Sequence, residues 1–247
     1  MDNNVFTYCI IIFLSALLGG FIAIAKKWSD EYLHLFLSFG AGIFLGMVFL
    51  HLLPEVLAHK HDPVLSIMVL AGFMFIFIVE RILFISSDGG GYDHSHKIIS
   101  LTAMLGLSVH SIIGGVGLAV GSVDQNLGWL IFISIISHKM PASFALTSLF
   151  VLGKFSKKRI WLFLILFSLM TPLGALAFAP IVKLAGSLTI EILTAFTAGT
   201  FLYVATADIL PEVFHTREKK WIKLLLLIIG IIVISFIGFL DIHVGGH

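Results

Sequence analysis

Apolar residues along this chain come in eight long runs, and the charged residues collect in the short stretches between them. A bilayer core is crossed by about 20 consecutive apolar residues in helical form. On that measure, membrane-spanning helices are predicted at 5–25, 32–57, 64–85, 98–121, 127–152, 159–183, 189–213 and 221–241. So little chain is left over that 1–247 reads as a single all-α, polytopic membrane unit with no separate soluble domain. The first run is full length and has no basic flank at Met1 to Asn4, so a retained helix is expected there rather than a cleaved signal.

Two of the runs share a phrase. Ala41 to Val56 reads A-G-I-F-L-G-M-V-F-L-H-L-L-P-E-V, and Ala198 to Val213 reads A-G-T-F-L-Y-V-A-T-A-D-I-L-P-E-V, eight of sixteen positions being identical at an ungapped offset of 157. Each copy puts an ionisable residue at the same place (His51, Asp208) and follows it with Pro54–Glu55 or Pro211–Glu212. Charge inside hydrocarbon is expensive and usually functional. Proline-interrupted spans in corresponding halves of a membrane protein point to the binding region of a secondary transporter. The prolines also free the carbonyls of Leu50 and Ala207, which then need another partner.

Composition adds that the chain cannot be an ordinary soluble domain, at 59% hydrophobic and 12% charged residues with a mean hydropathy of +1.09. Cys9 is the only cysteine, which excludes disulfide scaffolds and thiolate metal sites. The net charge of +1 says nothing about partners, and nucleic acid is not expected among them. Lys and Arg are distributed unevenly: twelve lie at or beside the connections after helices 1, 3, 5 and 7, whereas the opposite side holds only Lys60 and Lys183. That bias places the basic side in the cytoplasm and both termini outside. The spans carrying the two phrases then run in opposite senses, an inverted repeat. His51 and Glu55 fall toward the outer face, Asp208 and Glu212 toward the cytoplasm. The absence of any soluble appendage suits a bacterial inner membrane.

Two more histidines stand near midspan, His110 in L-S-V-H-S-I-I-G-G-V-G and His138 in I-I-S-H-K-M-P-A-S-F. Neutral imidazole is a ligand for zinc and neighbouring first-row metals. Pro141 frees the carbonyl of Ser137 beside His138. Lys139 either pairs with a carboxylate or holds a positive charge where a second cation would sit. The glycines at 106, 114, 115, 117 and 121 are expected to let helix 4 pack closely. The Gly-rich connection 86–97 carries His94 and His96, candidates for cytoplasmic metal capture, as are His59, His61 and Asp62 on the other side.

H-K-M-P-A-S-F at His138 to Phe144, A-G-T-F-L-Y-V-A-T at Ala198 to Thr206 and the two L-P-E-V elements together resemble the ZIP (Zrt/Irt-like) family of divalent-metal transporters, along the whole chain. The resemblance implies a 3+2+3 arrangement, with outer triplets (about 5–85 and 159–241) as inverted repeats and the metal held between central helices (about 98–152). On helix 4 the family pattern is His, Asn or Ser, two residues, Glu or Asp, then Gly. His110, Ser111 and Gly115 match it, but Gly114 stands at the carboxylate position. On helix 5 Ala142 stands where many members have Glu, and Lys139 where two-metal members have an acidic ligand, which argues against a binuclear centre.

The resulting expectation is a Zn²⁺ (or similar divalent cation) importer, not an enzyme and without a resident cofactor. It would work by alternating access in a lipid bilayer, with a homodimer compatible. Metal would enter past His51 and Glu55, dwell at His110, His138 and Ser111, and leave past Asp208 and Glu212. With Gly114 in place, Glu55 or Glu212 is the available carboxylate for the central site. Two rival readings remain at this point. One is a transport-deficient relative acting as a metal sensor or partner. The other is an intramembrane zinc hydrolase, for which there is no H-E-x-x-H and no account of the repeat.

Overall fold

The structure is a computed structural model that describes residues 3–26, 28–58, 63–85, 92–122, 125–180, 187–215 and 218–244. Among these described residues eight helices follow one another, close to the predicted runs. They are α1 (Asn3–Ala25), α2 (30–58), α3 (Pro63–Ile85), α4 (Tyr92–Gly121), α5 (Gln125–Leu152), α6 (157–178), α7 (187–214) and α8 (Lys220–Val244). Among the described residues there is no strand, and seven helices are long and apolar enough to cross a membrane. The remaining one, α8, is a 25-residue helix built mainly of Leu, Ile, Val and Phe. The protein is a multi-pass integral membrane protein.

Three helices are not regular throughout. α2 widens into a π-helical turn at Val48–Leu52, α6 at Gly174–Phe178 and α7 at Val204–Ile209. Each widened turn closes on the residue just before a proline. Leu53 donates to the Val48 carbonyl, Ala179 to Gly174 and Leu210 to Ala205, ahead of Pro54, Pro180 and Pro211. A proline ring clashes with the carbonyl four residues back and offers no N–H to it, and a π turn, whose bonds reach five residues, moves that carbonyl aside. The turns of α2 and α7 fall at the same place in the repeated phrase, and they carry His51 and Asp208.

Burial is arranged inside out, as lipid demands. Phe6 and Leu14 on α1, Leu70 on α3, and Ile232 and Phe236 on α8 are exposed and face outward. Leu33, Leu37, Ala41 and Phe44 on α2, and Ala198, Phe201 and Val204 on α7, lie in one buried core. The dominant helix pairs are α2 with α8, α3 with α7, α1 with α5 and α4 with α6. Reciprocal glycines set three of these seams. A methyl on Gly42 would strike the Leu227 carbonyl and one on Gly230 that of Phe39; Gly72 and Gly199 lie likewise against Phe196 and Val69, and Gly115 and Gly174 against Thr171 and Ile112. Small residues of this kind let helix backbones touch where no hydrophobic effect drives association.

The packing role expected for the helix 4 glycines therefore holds at Gly115, and Gly106 lies close to the Val204 side chain. It fails at Gly114, whose only near neighbour would be Ile135 Cδ1 at 4.0 Å, and at Gly117, which has open space.

Candidate metal centres

α4 and α5 bring His110 and His138 together at midspan, with ring centroids 5.6 Å apart and planes inclined by 54°. The two rings, with Ser111, Gly114, Lys139 and Thr171, line a small cavity closed by apolar side chains including Leu107, Phe167 and Phe201. Phe201 of α7 packs on the His110 ring at 4.6 Å. Nδ1 of His138 is buried and makes no hydrogen bond of normal geometry among the described residues, although the Ser134 backbone one turn back lies within reach of the ring. Like the Ser108 and Thr197 hydroxyls, it is a buried polar atom in want of a partner, and a lone pair on imidazole suits a soft or borderline cation.

Lys139 sits beside this pair rather than against an acid. Its Nζ donates to Ser111 Oγ at 2.7 Å and Thr171 Oγ1 at 3.1 Å, and lies 4.1 Å from the centre of the Phe167 ring. No ion pair to Lys139 occurs among the described residues. Hydroxyl lone pairs and a ring face thus take the place of a counter-ion. The cost is borne by Ser111. Its hydroxyl donates to the Leu107 carbonyl at 2.7 Å while accepting from Lys139, so only one lone pair is left for a metal.

The carboxylates named from the repeat are elsewhere. Asp208 accepts from Thr102 Oγ1 on α4 at 2.9 Å and lies within hydrogen-bonding reach of Glu80 on α3, whose carboxylate in turn accepts from the Tyr203 hydroxyl at 2.5 Å. Glu212 accepts from His34 Nε2 at 3.1 Å and His96 Nε2 at 2.7 Å. Both carboxylates face α4, but at levels well away from His110. Thr102 is eight residues from it, about 12 Å along a helix. None of the residues lining the central cavity is acidic, so Glu212 does not complete that site. The side chains of Glu55 and His94 lie outside the described part, as do His59, His61 and Asp62. His51 is half-buried and turned to α8, its Nε2 3.3 Å from the Ile234 carbonyl.

Two of the histidines and carboxylates in these networks were not singled out from the sequence, His34 and Glu80, nor were Thr102 and Thr171. For His34 and Glu80 the signal was present, since each is an ionisable residue inside an apolar run, the same observation that picked out His110.

Histidines and carboxylates are stationed inside a helical membrane bundle, an arrangement suited to carrying cations. The profile described as "ZIP Zinc transporter" matches residues 4–89 and 86–238, and the chain belongs to that family of transporters. It is 28% identical over 272 residues to zinc transporter ZIP9-B of Xenopus laevis, covering 86% of each chain. To zinc transporter ZIP9 of Xenopus tropicalis it is 27% identical, again over 86% of each. To zinc transporter ZIP1 of Danio rerio it is 25% identical over 93% of this chain and 95% of the relative.

Proposed function

We propose that this chain moves Zn²⁺, or a similar first-row divalent cation, toward the cytoplasm by alternating access. The observation that carries the reading is the midspan cavity, where two imidazoles lie 5.6 Å apart and Nδ1 of His138 makes no hydrogen bond of normal geometry. The relatives' names, each a zinc transporter, support zinc as the cargo. Polar stations descend along α4 from His110 to Thr102 with Asp208, then to His96 with Glu212. They make a graded route through an apolar interior, and the basic side of the chain puts its lower end in the cytoplasm. His51 and Glu55 stand at the other end. The matching π turns of α2 and α7, and the coupled helix pairs around α4 and α5, support an inverted-repeat architecture that rocks about the central pair. The bacterial inner membrane suggested by the short connections draws no support from the relatives compared, which are vertebrate proteins.

The test is metal uptake into liposomes containing the purified chain, with Zn²⁺, Fe²⁺, Mn²⁺ and Cd²⁺ in competition. Zn²⁺ uptake is expected, and His138→Ala should remove most of it while leaving a folded, helical protein. Uptake by that variant at the parent rate would sink the central-site assignment. A second reading, a metal-binding relative that does not transport, is favoured by the acid-free cavity and the cation at Lys139. It is selected by tight Zn²⁺ binding without any flux.

A further inference from the structure

We propose that this chain binds one anionic glycerophospholipid between α1, α2 and α5, with an acyl chain in an apolar groove and the head group at Lys26 and Trp28. The site stands on the geometry of the groove and is independent of the transport reading.

The groove exists because two consecutive helices pack on different partners. α1 and α2 are joined by residues 26–29 alone, yet α1 packs on α5 and α6 while α2 packs on α8 and α5. α5 is therefore the floor of a slot whose walls are α1 and α2. Met140, Pro141 and Phe144 line the floor, and Ile22 of α1 with Phe36 and Phe39 of α2 line the walls, around about 660 Å³ of free space. Sites for small ligands span about 300–1,000 Å³, so one hydrocarbon chain fits. The slot cannot close by helix approach. A methyl on Gly19 would strike the Met140 carbonyl, and one on Gly40 would lie 2.8 Å from Ala145 Cβ. Ser143 Oγ donates to the Ala16 carbonyl at 2.6 Å, and the Phe36 ring meets that of Phe144 edge-on at 4.9 Å. Both walls are thus fastened to the floor.

Chemistry selects the occupant. The residues lining the groove are all apolar, and Ile22 and Phe36 at its rim are each 36% exposed, so the slot opens to the surrounding bilayer. An unfilled slot would forfeit dispersion contacts along its lining, and the apolar molecule at that depth is an acyl chain. The head group is set by the outer end. Trp28 meets the Phe36 ring edge-on at 5.1 Å, and its Nε1 donates to the Ile22 carbonyl at 3.2 Å. The indole therefore stands over both walls, as tryptophan does at a membrane interface. Lys26 is exposed, and its Nζ lies 4.7 Å from the centre of that ring. An ammonium thus stands beside the mouth of the slot, where the phosphate of a lipid seated in it would lie. This is the basic side of the chain, and the cytoplasmic leaflet that such a side faces carries the anionic lipids. Met140 and Pro141 follow His138 by two and three residues, so the chain of the lipid lies against the helix that carries the central histidine.

Native mass spectrometry of the detergent-purified full chain tests this, with phosphatidylglycerol and phosphatidylcholine of one chain length supplied in equal amounts. The parent should retain one lipid, with phosphatidylglycerol favoured about fivefold, the value of one lysine beside an anionic head group. Lys26→Gln should keep the lipid but lose the preference, and Ile22→Trp, which fills the slot, should lose the lipid. No retained lipid, or equal retention of the two by the parent (adventitious annular lipid only), overturns the assignment, as does parent-like retention by both variants. Should Ile22→Trp fail to fold, phosphatidylglycerol with a photoreactive diazirine on its acyl chain decides on the parent. Labelling concentrated at 36–40 and 140–144 supports the groove, and labelling spread evenly over the exposed face of α8 as well overturns it. The transport reading fails on a different result, the absence of Zn²⁺ uptake by the parent in liposomes, so the two failures are told apart.

Discussion

Gly114 lines the central cavity, one helical turn from His110, and the space above it is open except for Ile135 Cδ1 at 4.0 Å. The crowded neighbour is Gly115, so a side chain at 114 can enter the cavity without forcing α4 from α6. Gly114→Asp should therefore bind Zn²⁺ more tightly. Two unit charges 4 Å apart attract by about 4 kcal/mol at an effective dielectric of about 20. Desolvation of the new carboxylate and its attraction to Lys139 offset part of this. A net gain of at least about tenfold in affinity remains, ~1.4 kcal/mol. Titration calorimetry on the folded variant checks it, with uptake measured in parallel. Tighter binding with slower uptake would show that this cavity is tuned for release, whereas unchanged affinity would mean that His110 does not face the ion.

At the level of the element, the three π turns show how proline chemistry shapes the bundle. Pro211 has no N–H for the Ala207 carbonyl, and the chain answers by widening the turn that holds Asp208. In Pro211→Ala the missing donor returns, and the turn can tighten to an α-helix, which removes a penalty of up to about 3 kcal/mol for proline inside a helix. Tightening drops one residue from the turn and rotates Asp208 by about 100° relative to Glu212. That rotation carries it away from Thr102. The expected variant melts at or above the parent temperature in detergent yet loses most of its Zn²⁺ uptake. Parent-like uptake would mean that the widened turn is only an accommodation of the ring. The need for such an accommodation was legible in the sequence at Pro54 and Pro211. The sequence could not say that it would take the form of a π turn, nor that Pro180 would do the same in α6, because a proline can equally kink or end a helix.

For the whole molecule, what could be read in advance divides along a physical line. Length and apolarity are local properties, so eight helices and the midspan positions of His110 and His138 follow from the chain directly. Which carboxylate meets which imidazole depends on depth and rotation of helices far apart in sequence. Glu212 was available on paper to complete the central site, yet it meets His34 and His96 instead, because α7 presents it to α4 well below His110. Orientation in the membrane lies between these cases, since it follows from a charge count but is a property of the assembled protein. Twelve basic residues at one end against two at the other predict that the His34–His96–Glu212 end is cytoplasmic. Glu31 of α2 and Lys219 before α8 pair at that end at 2.7 Å, and the carboxylate holds the lysine's pKa above its usual value. Single cysteines placed in a Cys9→Ala background decide the matter. In sealed vesicles of known sidedness, cysteines at Asp62 and Asp124 should react with an impermeant maleimide from outside. Those at Ser156 and Thr216 should react only after permeabilisation. The reverse pattern would exchange the two mouths and invert the proposed direction of transport.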